Sequence, residues 1–261
     1  MKPGEVGIYL YCIAEGPPIA AEDGLGPVRP GYSLAHEDLL AVVSQVPLEE
    51  FGEAALPTNL QDARWLESEV RAHEQVIERV MAGRTVLPMR FCTIFHSEEK
   101  VRALLETHCE RFRRALARLR GRAEWEIRLY HEPTTESAAE APQPAAGSPG
   151  TAYLVRKGAL ERAAQEAAAE ARRQAQRTLA ALADQVDQIQ LKPVAPQGSQ
   201  GAPRLVLDAV CLLAQPRLAA FHRRLEEVAK DLTASGLRLR LSGPWPPYHF
   251  SAELQERVGV P

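Results

Sequence analysis

The chain has 261 residues, with 31 Lys and Arg against 34 Asp and Glu, a formal net charge of -3, 45% hydrophobic and 6% aromatic residues. That length favours two domains over one, and the apolar share suffices for buried cores, which excludes a chain disordered throughout. The near balance of charge gives no overall attraction to nucleic acid or to an anionic membrane. Cys12, Cys92, Cys109 and Cys211 lie far apart without a C-x-x-C pair, as expected of thiols in a reducing cytoplasm. No apolar run reaches the ~18 residues of a membrane span; the best stretch, Leu205–Ala214, is interrupted by Asp208.

In chain order, Val6–Ala14 is a β-rich apolar run closed by Gly16-Pro17-Pro18 and reads as a core strand. Leu39–Val46 is a second strand. Thr58 or Asn59 is placed to cap a helix running to Ala82, with Leu60, Ala63, Leu66, Val70, His73, Ile77 and Val80 on one stripe. Thr85–Phe95 reads as a third strand. Ser97 and the acidic residues after it start a helix with Val101, Leu104, Leu105, Cys109, Phe112, Leu116 and Leu119 inward, ended by Gly121. Glu124–Tyr130 alternates as a closing strand. Residues 1–131 thus read as an N-terminal α+β module, an open sheet with two helices.

Between 132 and 150, prolines are scattered among Ala, Glu, Ser and Thr, a composition that buries too little apolar surface to offset chain ordering. This segment reads as a linker. Beyond it the expected order is strand Thr151–Arg156, helix Leu160–Val186, strand Gln188–Lys192, strand Arg204–Ala214, a helix from Pro216 to Ala234 stopped by Gly236, and strand Leu237–Leu241. That βαββαβ order makes 151–261 a ferredoxin-like module with a long first helix and a proline-aromatic tail.

Searching for chemistry, the seven histidines are scattered, and none has the partner spacing of a zinc site. No nucleophile, base and orienting group are specified together, so no catalytic residue, metal or cofactor is expected. Cys92, near Arg90 and His96, reads as an inert thiol. Arg90, between apolar neighbours on a presumed central strand, must find a carboxylate or carbonyls, serving as a structural ion pair or as a binding anchor. The small-residue stripe Ala164, Ala167, Ala171 and Ala175 lies on a helix whose roughly 40 Å length exceeds a small sheet; it packs either on the chain's own helices or on a partner. In Ser242–Phe250 three prolines impose an extended path that projects Trp245, Tyr248 and Phe250. That segment reads as a lid over its module or as a partner contact.

Assembled, Val6–Ile13, the stretch His73–Phe95 with Val86-Leu87-Pro88-Met89-Arg90-Phe91, the Ala152-Tyr153-Leu154 run and Gly243-Pro244-Trp245-Pro246-Pro247-Tyr248 closely resemble the gas vesicle protein GvpF/GvpL family. Cys92-Thr93 stands where that family leads one to expect Gly-Thr, and His249 where Ser is commoner. The resemblance implies two α+β domains, the first a modified ferredoxin-like fold. It implies a minor, non-enzymatic, cytoplasmic component of the gas vesicle. Its partners would be the hydrophobic major shell protein, kept from aggregating during nucleation and assembly, and other gas vesicle accessory proteins; neither nucleic acid nor membrane is expected as a partner. The alternative is a ferredoxin-like regulatory protein that binds a small molecule, which would require a pocket with convergent polar groups.

Overall fold

The computed structural model describes residues 4–20, 25, 29–131, 149–194, 203–233 and 235–257; within the long helix, the side chains of residues 149–156, 160–161 and 163–164 lie outside that description. The chain forms two compact units, one of Met1–Glu124 with Pro244–Pro261, the other of Trp125–Gly243. This division differs from the sequence expectation in giving the C-terminal segment to the first unit and, from Trp125 on, the strand after Gly121 to the second. The expected linker falls, over 132–148, outside the described residues.

The first unit is built on a sheet of β1 (Val6–Glu15), β2 (Tyr32–His36), β3 (Leu39–Pro47), β4 (Val86–Pro88) and β5 (Ile94–Phe95), ordered β2-β3-β1-β4 with β5 also on β1. β1 runs antiparallel to β3, with a register shift between Leu10 and Cys12. The alternation of a strand puts Tyr9 and Tyr11 on one face. The bulge then restores Cys12 and Ala14 to that same face, where all four join Val42, Val46, Phe51, Val76, Ile77, Val80 and Val86 in one core cluster. Residues from Gly7 to Ala14 are all buried, and this is why the strand reads as a continuous apolar run rather than as alternation.

Helices α1 (Leu48–Phe51) and α2 (Leu56–Asn59) are single turns before α3 (Ala63–Met81). The cap of α3 is Asp62, which accepts from the backbone N–H of Arg64 at 2.9 Å and Trp65 at 3.2 Å, in place of the expected Thr58 or Asn59. Its buried stripe is Glu69, Ala72, His73, Val76, Ile77 and Val80, with Val70 left exposed. α4 (Glu98–Leu119) buries Val101, Leu104, Leu105, Phe112, Leu116 and Leu119 as the spacing predicts, while Cys109, expected on the same face, is only half-buried. The expected single strand 85–95 is broken, because the chain turns away between Pro88 and Ile94.

The second unit corrects two expectations. Residues 151–156 are helical, not a strand: they belong to α5 (Pro149–Ala183), a helix of 35 residues. The strand that opens the module is instead β6 (Arg122–His131), which sits inside a sheet ordered β7-β8-β6-β9, with β7 at Gln188–Leu191, β8 at Arg204–Ala214 and β9 at Leu237–Trp245. With α6 (Leu218–Thr233) between β8 and β9, the order β6-α5-β7-β8-α6-β9 gives two interleaved split βαβ units. The ferredoxin-like topology stands, with its first strand moved upstream. Gly121 and Gly236, both at φ +67, occupy the left-handed conformation expected of residues ending helices.

The two faces of this sheet are unlike. Leu129, Ala171, Ala175, Leu207, Ala209, Val228, Leu232 and Leu237 form its core cluster. The alternate residues Glu126, Arg128 and Asp208 join Lys192 in an ion network, with Lys192–Glu126 and Arg128–Glu126 at 2.7 Å and Arg128–Asp208 at 3.4 Å. Burial pushes the Glu126 carboxyl up, yet Lys192 and Arg128 outweigh that and hold it below its ordinary range. Since β6 carries the fully buried Ile127 and Leu129, a fragment of residues 151–261 lacks a central strand. It is expected to show no cooperative thermal transition by circular dichroism, whereas residues 122–243 show one.

Candidate functional site

The residues singled out by the sequence converge, in part, on the turn between β4 and β5. Here Cys92 adopts φ +61, a left-handed conformation that favours glycine and costs other residues about 1 kcal/mol or more. Glycine, which the resemblance leads one to expect at that place, would carry no such cost. Thr93 closes the turn through its hydroxyl, which donates to the Arg90 carbonyl at 2.8 Å. The Cys92 N–H donates to the Tyr9 hydroxyl at 2.8 Å, and the Met89 N–H to the Tyr11 carbonyl at 2.8 Å.

The other wall of the turn is α7 (Tyr248–Arg257). The expectation of an extended proline path is corrected: Pro244 and Trp245 continue β9, an edge strand that tolerates proline, and a helix begins directly after Pro247. Buried Gln255 donates to the Pro88 carbonyl at 2.8 Å and accepts from the Arg90 N–H at 3.1 Å. Ser251, one turn earlier, lies 3.1 Å from the Gln255 amide. The start of the helix is held by Glu124, which accepts from the His249 N–H at 2.9 Å and lies 2.6 Å from His249 Nδ1. A carboxylate at that end also complements the helix dipole.

Behind the turn lies an aromatic and polar cluster. Tyr9 accepts from Cys92 and is 3.0 Å from His73 Nδ1, so its one proton is assigned to that nitrogen. Tyr248 stacks on His73 with centroids 6.3 Å apart and donates to Glu74 at 2.8 Å. Arg29 forks onto Glu69 at 2.7 and 3.2 Å and lies 4.7 Å over the Phe51 ring.

Burial dominates the protonation of this cluster. It pushes His73 down to about 4. It pushes the Cys92 thiol up to about 12, with the Glu69 charge adding to the effect. Tyr9 and Tyr248 are raised by burial as well, the latter further by Glu74, and Glu74 is itself raised by burial. The His73 imidazole, the Cys92 thiol and the Tyr9 and Tyr248 phenols are therefore neutral near pH 7, and a thiol held protonated is a poor nucleophile. Among the described residues, no three His, Cys, Asp or Glu side chains are grouped to hold a metal ion.

Of the residues expected to bind a partner, Arg90, Tyr248 and Phe250 meet around this turn. Arg90 is not a buried strand charge but an exposed one, 3.2 Å from Glu256. Phe250 is buried, and its carbonyl accepts from Arg118. Trp245 is 42% exposed. The alanine stripe lies apart from them: Ala171 and Ala175 are core of the second unit, Ala167 is exposed, and the side chain of Ala164 is outside the described residues. His73, Glu74, Glu124, Ser251 and Gln255 were not foreseen as one assembly; the i, i+4 spacing of Ser251 and Gln255 was the available signal.

Two α+β units, the first a modified ferredoxin-like sheet and the second a ferredoxin-like module, define the class of protein. The sequence profile of the gas vesicle synthesis protein GvpL/GvpF family matches residues 7–252, and the chain belongs to that family. It is 34% identical to gas vesicle protein L of Streptomyces sp. (strain CB03234), over 96% of this chain and 94% of that protein. It is 32% identical to gas vesicle protein L2 of Halobacterium salinarum (strain ATCC 700922 / JCM 11081 / NRC-1), over 74% of this chain and 73% of that one. The fold is similar to the crystal structures of GvpF from Anabaena sp. PCC7120, at TM-score 0.66 and 20% identity, and from Microcystis aeruginosa, at 0.61 and 19%; each comparison covers 94% of this chain and 98% of the other.

Two outcomes test the site. Cys92→Val, which forces a β-branched residue into the left-handed region, lowers stability by about 2 kcal/mol in urea unfolding, while Cys92→Gly stays within about 1 kcal/mol of the parent. For His73 the neutral form is favoured in the folded state, so the unfolded chain takes up its proton first as the pH falls. Stability contributed by His73 is complete above pH 6.5 and is lost between there and about 4, by about 3 kcal/mol. His73→Phe removes that part of the acid slope, read by denaturation at a series of pH values.

Proposed function

We propose that this chain is a gas vesicle accessory protein that binds the hydrophobic major shell subunit and keeps it from aggregating while vesicles nucleate and grow. The observation that carries the reading is the family match over residues 7–252. A subunit that will line a gas space exposes apolar surface before it assembles, and such surface aggregates in water unless a partner covers it. Its site of action on this reading is the cytoplasm, at the growing vesicle.

The chain offers several means of covering apolar surface. Trp245 is exposed, as are Leu191, at 64%, and Val194, on and beside β7, the edge strand of the second sheet. β7 reads Gln-Ile-Gln-Leu and carries neither charge nor proline; charge and proline are the common guards of an edge against strand addition. β1 is not among these surfaces, because it is central and buried on both faces. Arg90 and the exposed Ala167 remain candidate contacts. Tyr248, Phe250, Ala171 and Ala175 serve by fixing the surfaces around them. The sheet face bearing Glu126, Arg128, Lys192 and Asp208 is charge-balanced, unlike a nucleic-acid platform.

The test is co-expression of the major shell subunit with and without this chain, followed by centrifugation and quantification of the soluble subunit. A severalfold rise in soluble subunit is expected with the chain present. An unchanged soluble fraction overturns the reading.

A further inference from the structure

The outer strands of a sheet carry main-chain donors and acceptors that invite another strand unless something blunts them. In the first unit the outer strands of the path β2-β3-β1-β4 are blunted by the chain itself. The Ser33 N–H of β2 donates to the Ile19 carbonyl at 3.0 Å, and the Pro88 carbonyl of β4 accepts from Gln255 at 2.8 Å. In the second unit β9 is guarded by Arg238 and Arg240. β7, Gln188-Ile189-Gln190-Leu191, is uncharged and, among the described residues, pairs with β8 alone. Its register sets Ile189 opposite Cys211 and Leu191 opposite Ala209, and the Lys192 N–H donates to the Asp208 carbonyl at 2.8 Å. Hydrogen-bonded pairs alternate along an antiparallel ladder. Gln188 and Gln190 therefore share the inward direction of Lys192, and the N–H and C=O of Ile189 and Leu191 point away from the sheet. The Leu191 side chain is exposed as well.

We propose that β7 pairs with β7 of a second copy of this chain, antiparallel about a two-fold axis through Gln190. The occupant is argued from the self-complementarity of the edge in register and in charge, as an isologous contact requires. With the axis at Gln190, Ile189 lies opposite Leu191 of the second copy and Leu191 opposite Ile189. Every outward main-chain group of both strands then has a mate, and each exposed leucine gains an apolar neighbour on its own face of the sheet. On the other face Gln190 meets Gln190, and Lys192, already 2.7 Å from Glu126, meets Gln188, so no like charges are opposed. The neighbouring registers are poorer. An axis at Leu191 sets Ile189 opposite Pro193, which has no N–H, and an axis at Ile189 sets Leu191 opposite Asp187. Edges of four residues are about 13 Å long and cover far less than the ~800 Å² per partner of a stable assembly, so the dimer is weak and concentration-dependent. The inference goes beyond the shell-subunit reading and does not depend on it.

The experiment is sedimentation equilibrium of the full chain from about 5 to about 500 μM, where the weight-average mass is expected to rise from that of the monomer toward twice that value. Leu191→Pro removes an outward N–H and no bond to β8, and it is expected to weaken association at least about tenfold. Should the proline perturb folding, judged by the thermal midpoint, Leu191→Lys places a charge on an exposed edge position, with the same loss expected. The register is read by cross-linking. Gln190→Cys brings two thiols together on facing Cα atoms about 4.5 Å apart, and diamide is expected to yield a covalent dimer. A severalfold lower yield is expected from Gln188→Cys, which faces Lys192 of the second copy, and from the parent with its own four cysteines. A parent whose mass stays that of the monomer at every concentration overturns the proposal. So does association undiminished in both Leu191 variants, or equal cross-linking of the Gln188 and Gln190 variants. A monomeric parent that instead binds a labelled peptide of alternating Thr and Val overturns it in favour of a strand from another protein. These measurements contain no shell subunit: a monomeric parent that still raises the soluble subunit sinks this inference and leaves the proposed function standing.

Discussion

The main chain between Pro88 and Thr93 leaves the sheet with Pro88, Met89 and Thr93 buried, and the donors and acceptors this takes out of the sheet have to be met by other parts of the molecule. Most of the first unit is arranged around that demand. The Tyr9 hydroxyl takes the Cys92 N–H, the Tyr11 carbonyl takes that of Met89, and Gln255 serves both the Pro88 carbonyl and the Arg90 N–H. Tyr9 is in position because β1 is a buried central strand. Gln255 is in position because α7 begins immediately after a pair of prolines, its first turn bound to Glu124. The removal of any one of these would strand a buried polar group, which is costlier than the loss of an ordinary surface hydrogen bond.

The same enclosure fixes the chemical character of the cluster. A low-dielectric setting without a compensating cation drives imidazole, thiol, phenol and carboxyl alike toward their uncharged forms. Arg29, a positive charge acting on Cys92 and Tyr11, is committed to Glu69 through a two-pronged pair. The outcome is a set of titratable side chains employed as hydrogen-bonding joints, which gives Tyr9, His73 and Tyr248 a role in holding the fold.

Much of the architecture was legible in the sequence. The long apolar run of β1, the periodic faces of α4 and α6 and the glycines at 121 and 236 each depend on local chemistry that survives folding. The first strand of the second module was misplaced because Arg122–His131 and Thr151–Arg156 are both short, β-compatible runs, and periodicity cannot say which sheet a strand will enter. The helical course of α5 through residues 151–156 shows continuous helix overriding a β-like composition. Cys92 was legible only as a departure from an expected glycine, and its meaning appeared once the backbone angle was known. An unbroken strand 85–95 requires a buried partner for Arg90; the chain turns at Cys92 instead, and the side chain is exposed. The assembly of Gln255, Ser251, Glu124 and His73 draws on residues up to 182 positions apart, beyond the reach of any local pattern.

The assignment of Pro244–Pro261 to the same unit as Met1–Glu124 has a consequence for how the molecule comes into being. On the ribosome, the opening sheet emerges without its closing helix, and roughly 120 residues of other structure are made before α7 is available. At typical elongation rates this is an interval on the order of ten seconds. Throughout it the bend at Pro88–Thr93 lacks the amide of Gln255, and the nascent half-domain waits, open on one side, until α7 has been made.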